Sequence, residues 1–217
     1  ADQIPQLKRI LLSSRDPRNR WLASYYTAMA YDLDDELERA ASYAQRAMEL
    51  AGELDQPGYS ARAANLTGIL ALRTSRFEDA ESAFCAALAA HDGREGYHRI
   101  MEAQERDNMG YILMCTDRVR EGLELCESAR TTLEELDAEH YLPQTLQDLC
   151  YGYLLEDELE RAEEAGQRAL DLARADEDAL IVKNCLFLLG EIAVRRGDTF
   201  RARRTLRELA TYYPEVG

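Results

Sequence analysis

Residues 189–209 read LGEIAVRRGDTFRARRTLREL, and this stretch decides the fold. A small residue, Gly190, is followed twelve positions later by a second small residue, Ala202. The pair Gly197-Asp198 between them marks a tight turn. Two apolar residues, Leu206 and Leu209, follow Ala202 at four and seven positions. This spacing places all three residues on one stripe of a helix. The stretch therefore predicts two helices joined by a short turn.

The same pattern occurs five times along the chain. Its second small residue recurs at separations of 40, 42, 40 and 40 positions, as Ala40, Ala80, Gly122, Ala162 and Ala202. Its first small residue lies twelve positions before each of these, as Ala28, Gly68, Gly110, Cys150 and Gly190. One such helical hairpin cannot bury its apolar stripe alone, so neighbouring hairpins must stack. The spacing therefore predicts an all-α repeat array of about eleven helices.

These positions resemble the signature of the tetratricopeptide repeat (TPR) family, which is L-G-x2-Y on the first helix and A-x3-F-x2-A on the second. The best matches are Leu189-Gly190 and the segment Ala80-x3-Phe84-x2-Ala87, and Pro214 occupies the position of the proline that ends a repeat. The sequence departs from the pattern at Gly122, which replaces Ala, and at Cys150, which replaces Gly. Its repeats are also longer than the usual ~34 residues. They are similar to the repeats of kinesin light chains and of TPR arrays in bacterial signalling regulators.

The resemblance implies an α-solenoid of about five antiparallel helix pairs, wound into a right-handed superhelix and preceded by one extra helix. We predict the extra helix within residues 1–18, as the remnant of a preceding repeat or as an N-terminal cap, and the array over residues 19–217. The individual repeats are predicted at approximately 19–57, 58–98, 99–140, 141–179 and 180–217. Because the sequence starts at Ala1 and not at a methionine, we interpret it as a fragment of a larger protein.

Composition argues against several classes of function. The formal charge of −15 at pH 7 argues against nucleic acid and acidic membrane surfaces, since phosphate binding relies on clustered Lys and Arg. No stretch approaches the ~18 consecutive apolar residues that a membrane helix needs. The five cysteines form no CxxC pair, and their odd number argues against a closed disulfide framework. Free thiols are typical of a reducing compartment, so we predict a cytoplasmic protein without a cofactor or a metal.

The sequence also argues against catalysis. Its three histidines, His91, His98 and His140, fall near predicted repeat junctions and lack the spacing of metal ligands. It contains no Gly-rich phosphate loop, nucleophile elbow or HExxH motif. We therefore predict that the protein is not an enzyme.

In the TPR family, the first helix of each repeat lines the concave face and carries the ligand-facing positions. The resemblance implies seventeen partner-binding residues here, namely Tyr25, Met29, Arg62, Asn65, Ile69, Arg73, Gln104, Asp107, Asn108, Tyr111, Gln144, Gln147, Tyr151, Asn184, Phe187, Glu191 and Arg195. Amides can bond a peptide backbone, and Tyr and Arg are frequent at interface hot spots. The alternative is that exposed helix positions are simply polar and that the aromatic residues help to pack the repeats. The family's clamp for a terminal carboxylate has only a partial match, at Arg62, Asn65 and Arg73.

These observations predict a module that binds a protein or peptide on its concave face, within a bacterial regulator or multiprotein complex. A first alternative is a sensor array that binds a signalling peptide and controls an attached effector domain. A second is a structural scaffold that self-associates through its end helices. An arginine run near the end of the chain is compatible with docking of an acidic partner, but we favour a solvated helix face, comprising Arg195, Arg196, Arg201, Arg203, Arg204 and Arg207.

Overall fold

The computed structural model describes residues 3–54, 56–90 and 97–213, without the side chain of Tyr97. These residues contain eleven α-helices, one short 3-10 turn at Glu139–Tyr141 and no β-strand. The helices are α1 (Ile4–Ser13), α2 (Pro17–Leu33), α3 (Leu37–Gly52), α4 (Pro57–Arg73), α5 (Phe77–Ala89), α6 (Tyr97–Cys115), α7 (Val119–Glu135), α8 (Leu142–Leu155), α9 (Leu159–Ala175), α10 (Ala179–Arg195) and α11 (Thr199–Ala210). The prediction of an all-α repeat array, with helix pairs preceded by one extra helix, is confirmed.

Contacts between helices divide the chain into two compact units. Unit 1 is Ala1–Ile112 and contains α1 to α5 with most of α6, whereas unit 2 is Leu113–Gly217 and contains α7 to α11. In unit 1, α2 packs with α3 and α4 with α5; in unit 2, α8 packs with α9 and α10 with α11. The division at residue 18 and the individual repeat bounds remain predictions.

Every first helix ends in the same backbone turn. In α6, for example, the N–H of Arg118 donates to the carbonyl of Leu113 at 2.8 Å, the 6→1 bond of a Schellman motif. The residue before the donor has a positive φ of 55° to 73° in all five turns, namely Asp35, Ser75, Asp117, Asp157 and Gly197. L residues rarely adopt this conformation, and short polar side chains tolerate it best. The turn predicted at Gly197-Asp198 is therefore confirmed.

Two glycines, Gly68 and Gly166, lie where neighbouring helices approach closely. A Cβ atom added to Gly68 would lie 2.7 Å from the ring of Phe84, and one added to Gly166 would lie 2.8 Å from Cys150 Sγ. The alanines at the second small position are buried, as Ala162 shows. Small side chains thus let successive helices pack without a gap, which is the physical basis of the spacing seen in the sequence.

Four prolines lie at the start of helices. Pro5, Pro17, Pro57 and Pro143 all fall in the first turn of a helix, where a missing N–H costs nothing. Proline is excluded from helix interiors, but that exclusion does not apply to the first turn of a helix. Pro214 lies outside the described residues.

Candidate functional site

A chain of hydrogen bonds joins four polar side chains on the first helices of unit 2. Asn184 Nδ2 on α10 donates to Gln147 Oε1 on α8 at 2.9 Å. Gln147 Nε2 and Gln144 Nε2 in turn donate to the two oxygens of Asp148, at 3.0 and 2.9 Å. Three of these residues were predicted as partner contacts, and the structure brings them together. We refer to Gln144, Gln147, Asp148 and Asn184 as the amide cluster.

Asp148 is the most buried residue of the amide cluster. Its side chain and that of Gln147 are buried, whereas Gln144 and Asn184 are exposed. Burial raises the pKa of Asp148 to about 7, although the two amide donors act in the opposite direction by stabilising the carboxylate. Sequence reasoning missed this residue. The repeat register could have indicated Asp148, because it occupies the position that Asn108, a predicted partner-binding residue, holds forty residues earlier.

A cluster of aromatic rings and one arginine occupies the first helices of unit 1. The rings of Trp21 and Tyr25 stack with centroids 4.8 Å apart, and the ring of Tyr59 meets Trp21 edge-on at 4.7 Å. The guanidinium of Arg62 lies 4.7 Å from the ring centroid of Tyr25, a cation–π distance. Trp21 is fully buried, whereas Tyr25 and Arg62 are half-buried. Two predicted partner contacts are therefore held in place by a buried indole.

A second amide pair joins α4 and α6 in unit 1. Asn108 Nδ2 donates to Asn65 Oδ1 at 3.2 Å, and both side chains are half-buried. In the repeat register, Asn65 occupies the same position as Gln147, which bonds to the following first helix in unit 2. The same position thus carries an amide link between successive first helices in each unit.

Two predicted arginines have a different role in the structure. Arg73 donates to the backbone carbonyl of Asp32 at 2.8 Å and to the carboxylate of Asp35 at 2.7 Å. Arg195, which has the same place in the repeat, pairs with Asp157 at 3.6 Å. Both guanidinium groups therefore contact the turn of the preceding repeat. This placement also weakens the partial match to a carboxylate clamp, because two acidic side chains already neutralise Arg73.

The other predicted partner-binding residues differ in their solvent exposure. Asp107 is buried, as is its neighbour Glu105, whose pKa is raised to about 8 by burial and by repulsion from Glu102. Phe187 is among the most exposed large apolar side chains. The remaining predicted residues are partly or fully accessible on first helices, namely Met29, Ile69, Gln104, Tyr111, Tyr151 and Glu191.

A network of ion pairs, not predicted from the sequence, spans α7, α8 and α9. Arg130 donates to Glu127 at 2.7 Å and to Glu134 at 3.1 Å, while Arg168 donates to Glu134 at 2.6 Å. The hydroxyl of Tyr153 donates to Glu127. The network lines a cleft of about 220 Å³. Because its charged groups are bonded to one another across helices, we assign it to the stacking of repeats.

The described ranges contain no group of three or more His, Cys, Asp or Glu side chains that could hold a metal ion. Over the same ranges, none of the helices has the length and apolar character required to span a membrane. His140 contacts Asp176, with 3.1 Å between Nδ1 and Oδ2, and His91 lies outside these ranges.

Comparison with known proteins finds the same type of fold in solved structures. The tetratricopeptide repeat family model matches residues 184–215. BtubC (BKLC) from P. vanneervenii is similar in structure, with a TM-score of 0.75 at 18% identity over 99% of this chain and 91% of that chain. A Rap protein complexed with Competence and Sporulation Factor gives 0.73 at 16% identity, over 99% and 69%. YrrB, a TPR protein with an unusual peptide-binding site, gives 0.52 at 17% identity, over 96% and 92%.

The chain thus has a tetratricopeptide-type helical repeat fold, as the sequence predicted. The residues that the family model matches belong mainly to the fifth helix pair, α10 and α11. None of the curated proteins matches the chain in sequence. Because the sequence identities are only 16% to 18%, the structural likenesses establish the fold alone.

Proposed function

We propose that the chain is a non-catalytic module that binds an extended peptide segment of a partner protein on its first helices. The observation that carries the proposal is the amide cluster, in which exposed Gln144 and Asn184 are held by buried Gln147 and Asp148. The peptide-binding site of YrrB supports this reading, because that protein has the same type of fold.

The amide cluster suits a peptide backbone for a chemical reason. An extended peptide offers both N–H and C=O groups, and a carboxamide can donate and accept hydrogen bonds at the same time. Gln144 and Asn184 each use one N–H for a bond within the cluster, which leaves the geometry of the carboxamide fixed. A fixed group loses little conformational entropy when a ligand binds, so more of each new bond appears as affinity.

Unit 1 offers contacts of a different kind. Tyr25 and Arg62 form a half-buried surface over Trp21, to which an apolar side chain with a nearby carboxylate would bind. Tyr111 in unit 1 and Tyr151 in unit 2 are half-buried on first helices and remain predicted aromatic anchors. We propose that the aromatic side chains supply side-chain specificity and that the amides supply backbone contacts.

The wider setting is part of the same proposal. The likeness to a Rap protein complexed with Competence and Sporulation Factor supports a place in a bacterial regulator or multiprotein complex. All five cysteines are free thiols, which supports a reducing compartment such as the cytoplasm.

The test begins with a random-peptide display library selected on the immobilised chain, followed by titration of a selected peptide. We expect Gln144→Ala to weaken binding about tenfold, the effect of losing one or two hydrogen bonds. Tyr151→Ala should weaken it about thirtyfold if the ring is a central anchor. The matched control is Gln167→Ala on the second helix α9, since Gln167 bonds an aspartate at the same i,i+4 spacing as Gln144.

Each variant is first checked for native helix content by circular dichroism. Unchanged affinity in both Gln144→Ala and Tyr151→Ala would contradict binding at the first helices of unit 2. An equal loss in Gln167→Ala would move the site to the second helices, and selection of no peptide at all would overturn the proposed function.

A further inference from the structure

Helix α10 carries an apolar stripe that faces solvent. Leu180, Phe187 and Val194 are 62%, 61% and 58% exposed, and they lie seven residues apart, which is two helical turns. Exposed apolar side chains that line up in this way mark an interaction surface, whereas scattered ones do not. We refer to these three residues as the α10 stripe.

The repeat register shows what such positions normally contact. Leu154 and Gln147 on α8 are the counterparts of Val194 and Phe187 one repeat earlier, and both are buried. Gln147 is bonded to Asn184 on α10, the first helix of the next repeat. Two of the three positions of the α10 stripe, those of Phe187 and Val194, are therefore positions that are buried one repeat earlier, whereas the counterpart of Leu180 is the exposed His140.

The residues around the stripe are arranged symmetrically about Phe187. Leu180 and Val194 lie seven positions before and after it, and Lys183 and Glu191 lie four positions before and after it. A twofold interface requires that residue i contacts residue j and that j contacts i. An antiparallel pair of α10 helices centred on Phe187 meets this condition, since each lysine then faces a glutamate and each leucine faces a valine.

We propose that two copies of the chain associate through α10, packed antiparallel about a twofold axis at Phe187. Phe187 of one copy contacts Phe187 of the other at the centre. On either side, Leu180 of one copy contacts Val194 of the other. Two Lys183–Glu191 ion pairs flank this apolar centre. A second copy fits better than an unrelated helix because both the apolar and the charged positions are self-complementary.

Contacts within the chain are compatible with this arrangement. Glu191 accepts from Arg195 Nε at 3.2 Å, but a carboxylate has two oxygens and can accept from a second cation. The ammonium of Lys183 lies 5.4 Å from the ring centroid of Tyr213, so its charge is held beside the stripe. A parallel pair would place Lys183 against Lys183, and like charges at an interface disfavour that arrangement.

The first test is the mass of the chain in solution, measured by sedimentation equilibrium from low to several hundred micromolar. We expect a concentration-dependent dimer that Phe187→Asp converts to a monomer. The matched control is Phe200→Asp on α11, because Phe200 is 80% exposed but lies outside the stripe. A wild-type chain that stays monomeric throughout, or a dimer that only Phe200→Asp disrupts, would overturn the proposal.

A charge exchange tests the antiparallel register itself. Lys183→Glu and Glu191→Lys should each weaken the dimer by about tenfold or more, because each creates two like-charged contacts per interface. The double variant K183E/E191K should recover the wild-type dissociation constant, since every contact is again between opposite charges. Loss without recovery in a double variant of native helix content would refute this register. The effect of Gln144→Ala on peptide affinity is measured in a separate experiment. Failure of the dimer proposal and failure of the proposed function are therefore distinguishable.

Discussion

Replacing Asp148 with asparagine should remove a loss of stability that the native chain suffers as pH rises. Burial raises the pKa of this carboxyl from its usual 3.8 to about 7. At acidic pH both the folded and the unfolded chain hold the proton, and Asp148 has no effect. As pH rises from about 4 to about 7, the unfolded chain releases the proton while the folded chain retains it, so the free energy of unfolding falls.

The size of this effect follows from the two pKa values. Each pH unit between them costs ~1.4 kcal/mol, so the total loss is about 4 kcal/mol once pH exceeds 7. Asparagine has nearly the shape of the protonated acid, with one acceptor oxygen and an NH2 group in place of the O–H, and it does not titrate. Rotation of the exposed amide of Gln144 turns its oxygen toward the new NH2 group and supplies an acceptor for one of its two N–H bonds. We therefore expect the stability difference between the two proteins to shift in favour of Asp148→Asn by up to about 4 kcal/mol between pH 4 and pH 8.

The measurement is urea unfolding followed by circular dichroism across this pH range. The matched control is Asp171→Asn, because Asp171 is exposed and accepts from Gln167 at 3.0 Å with the same i,i+4 spacing. Glu105 also has a raised pKa and lowers stability in the same direction, but it is present in every variant and cancels in the difference. A stability difference between wild type and Asp148→Asn that does not change with pH would refute the reasoning.

Two further expectations concern packing and thiol chemistry. Ala162→Leu should lower the free energy of unfolding by about 1–3 kcal/mol, because Ala162 has no exposed surface and its helix has no room for three more carbons. The same change at exposed Ala175 should have almost no effect, and equal unfolding midpoints for the two variants would disprove the repeat register. In the native chain, a thiol reagent should modify exposed Cys85 rapidly and Cys150 and Cys185 only after unfolding, since burial raises the pKa of both thiols to about 12. Rapid native reaction at either buried thiol would show that unit 2 opens readily.

The fold was predictable because packing constrains the sequence at regular intervals. A helix can approach its neighbour closely only where side chains are small, so small residues such as Ala40, Ala80 and Ala162 recur at nearly constant spacing. The left-handed turns add a second periodic constraint, since few residue types tolerate a positive φ. Both constraints act within a single repeat and are therefore visible in one sequence.

The candidate site was predictable only in part. The register placed Gln144, Gln147 and Asn184 on first helices, but it gave no information on the bonds between them or on burial of Asp148. Those features depend on how a neighbouring helix is rotated. The role of Arg73 was hidden for a similar reason, because its acidic partners lie about forty residues away, in the turn of another repeat.

Trp21 is the only tryptophan of the chain, and it lies buried in unit 1 between the rings of Tyr25 and Tyr59. Its fluorescence therefore reports the melting of unit 1 alone, whereas circular dichroism reports the helices of both units. Coincident transitions by the two signals would mean that the units melt as one cooperative block, and separate transitions would mean that each melts independently. A single indole thus makes the cooperativity of the whole array measurable without any label.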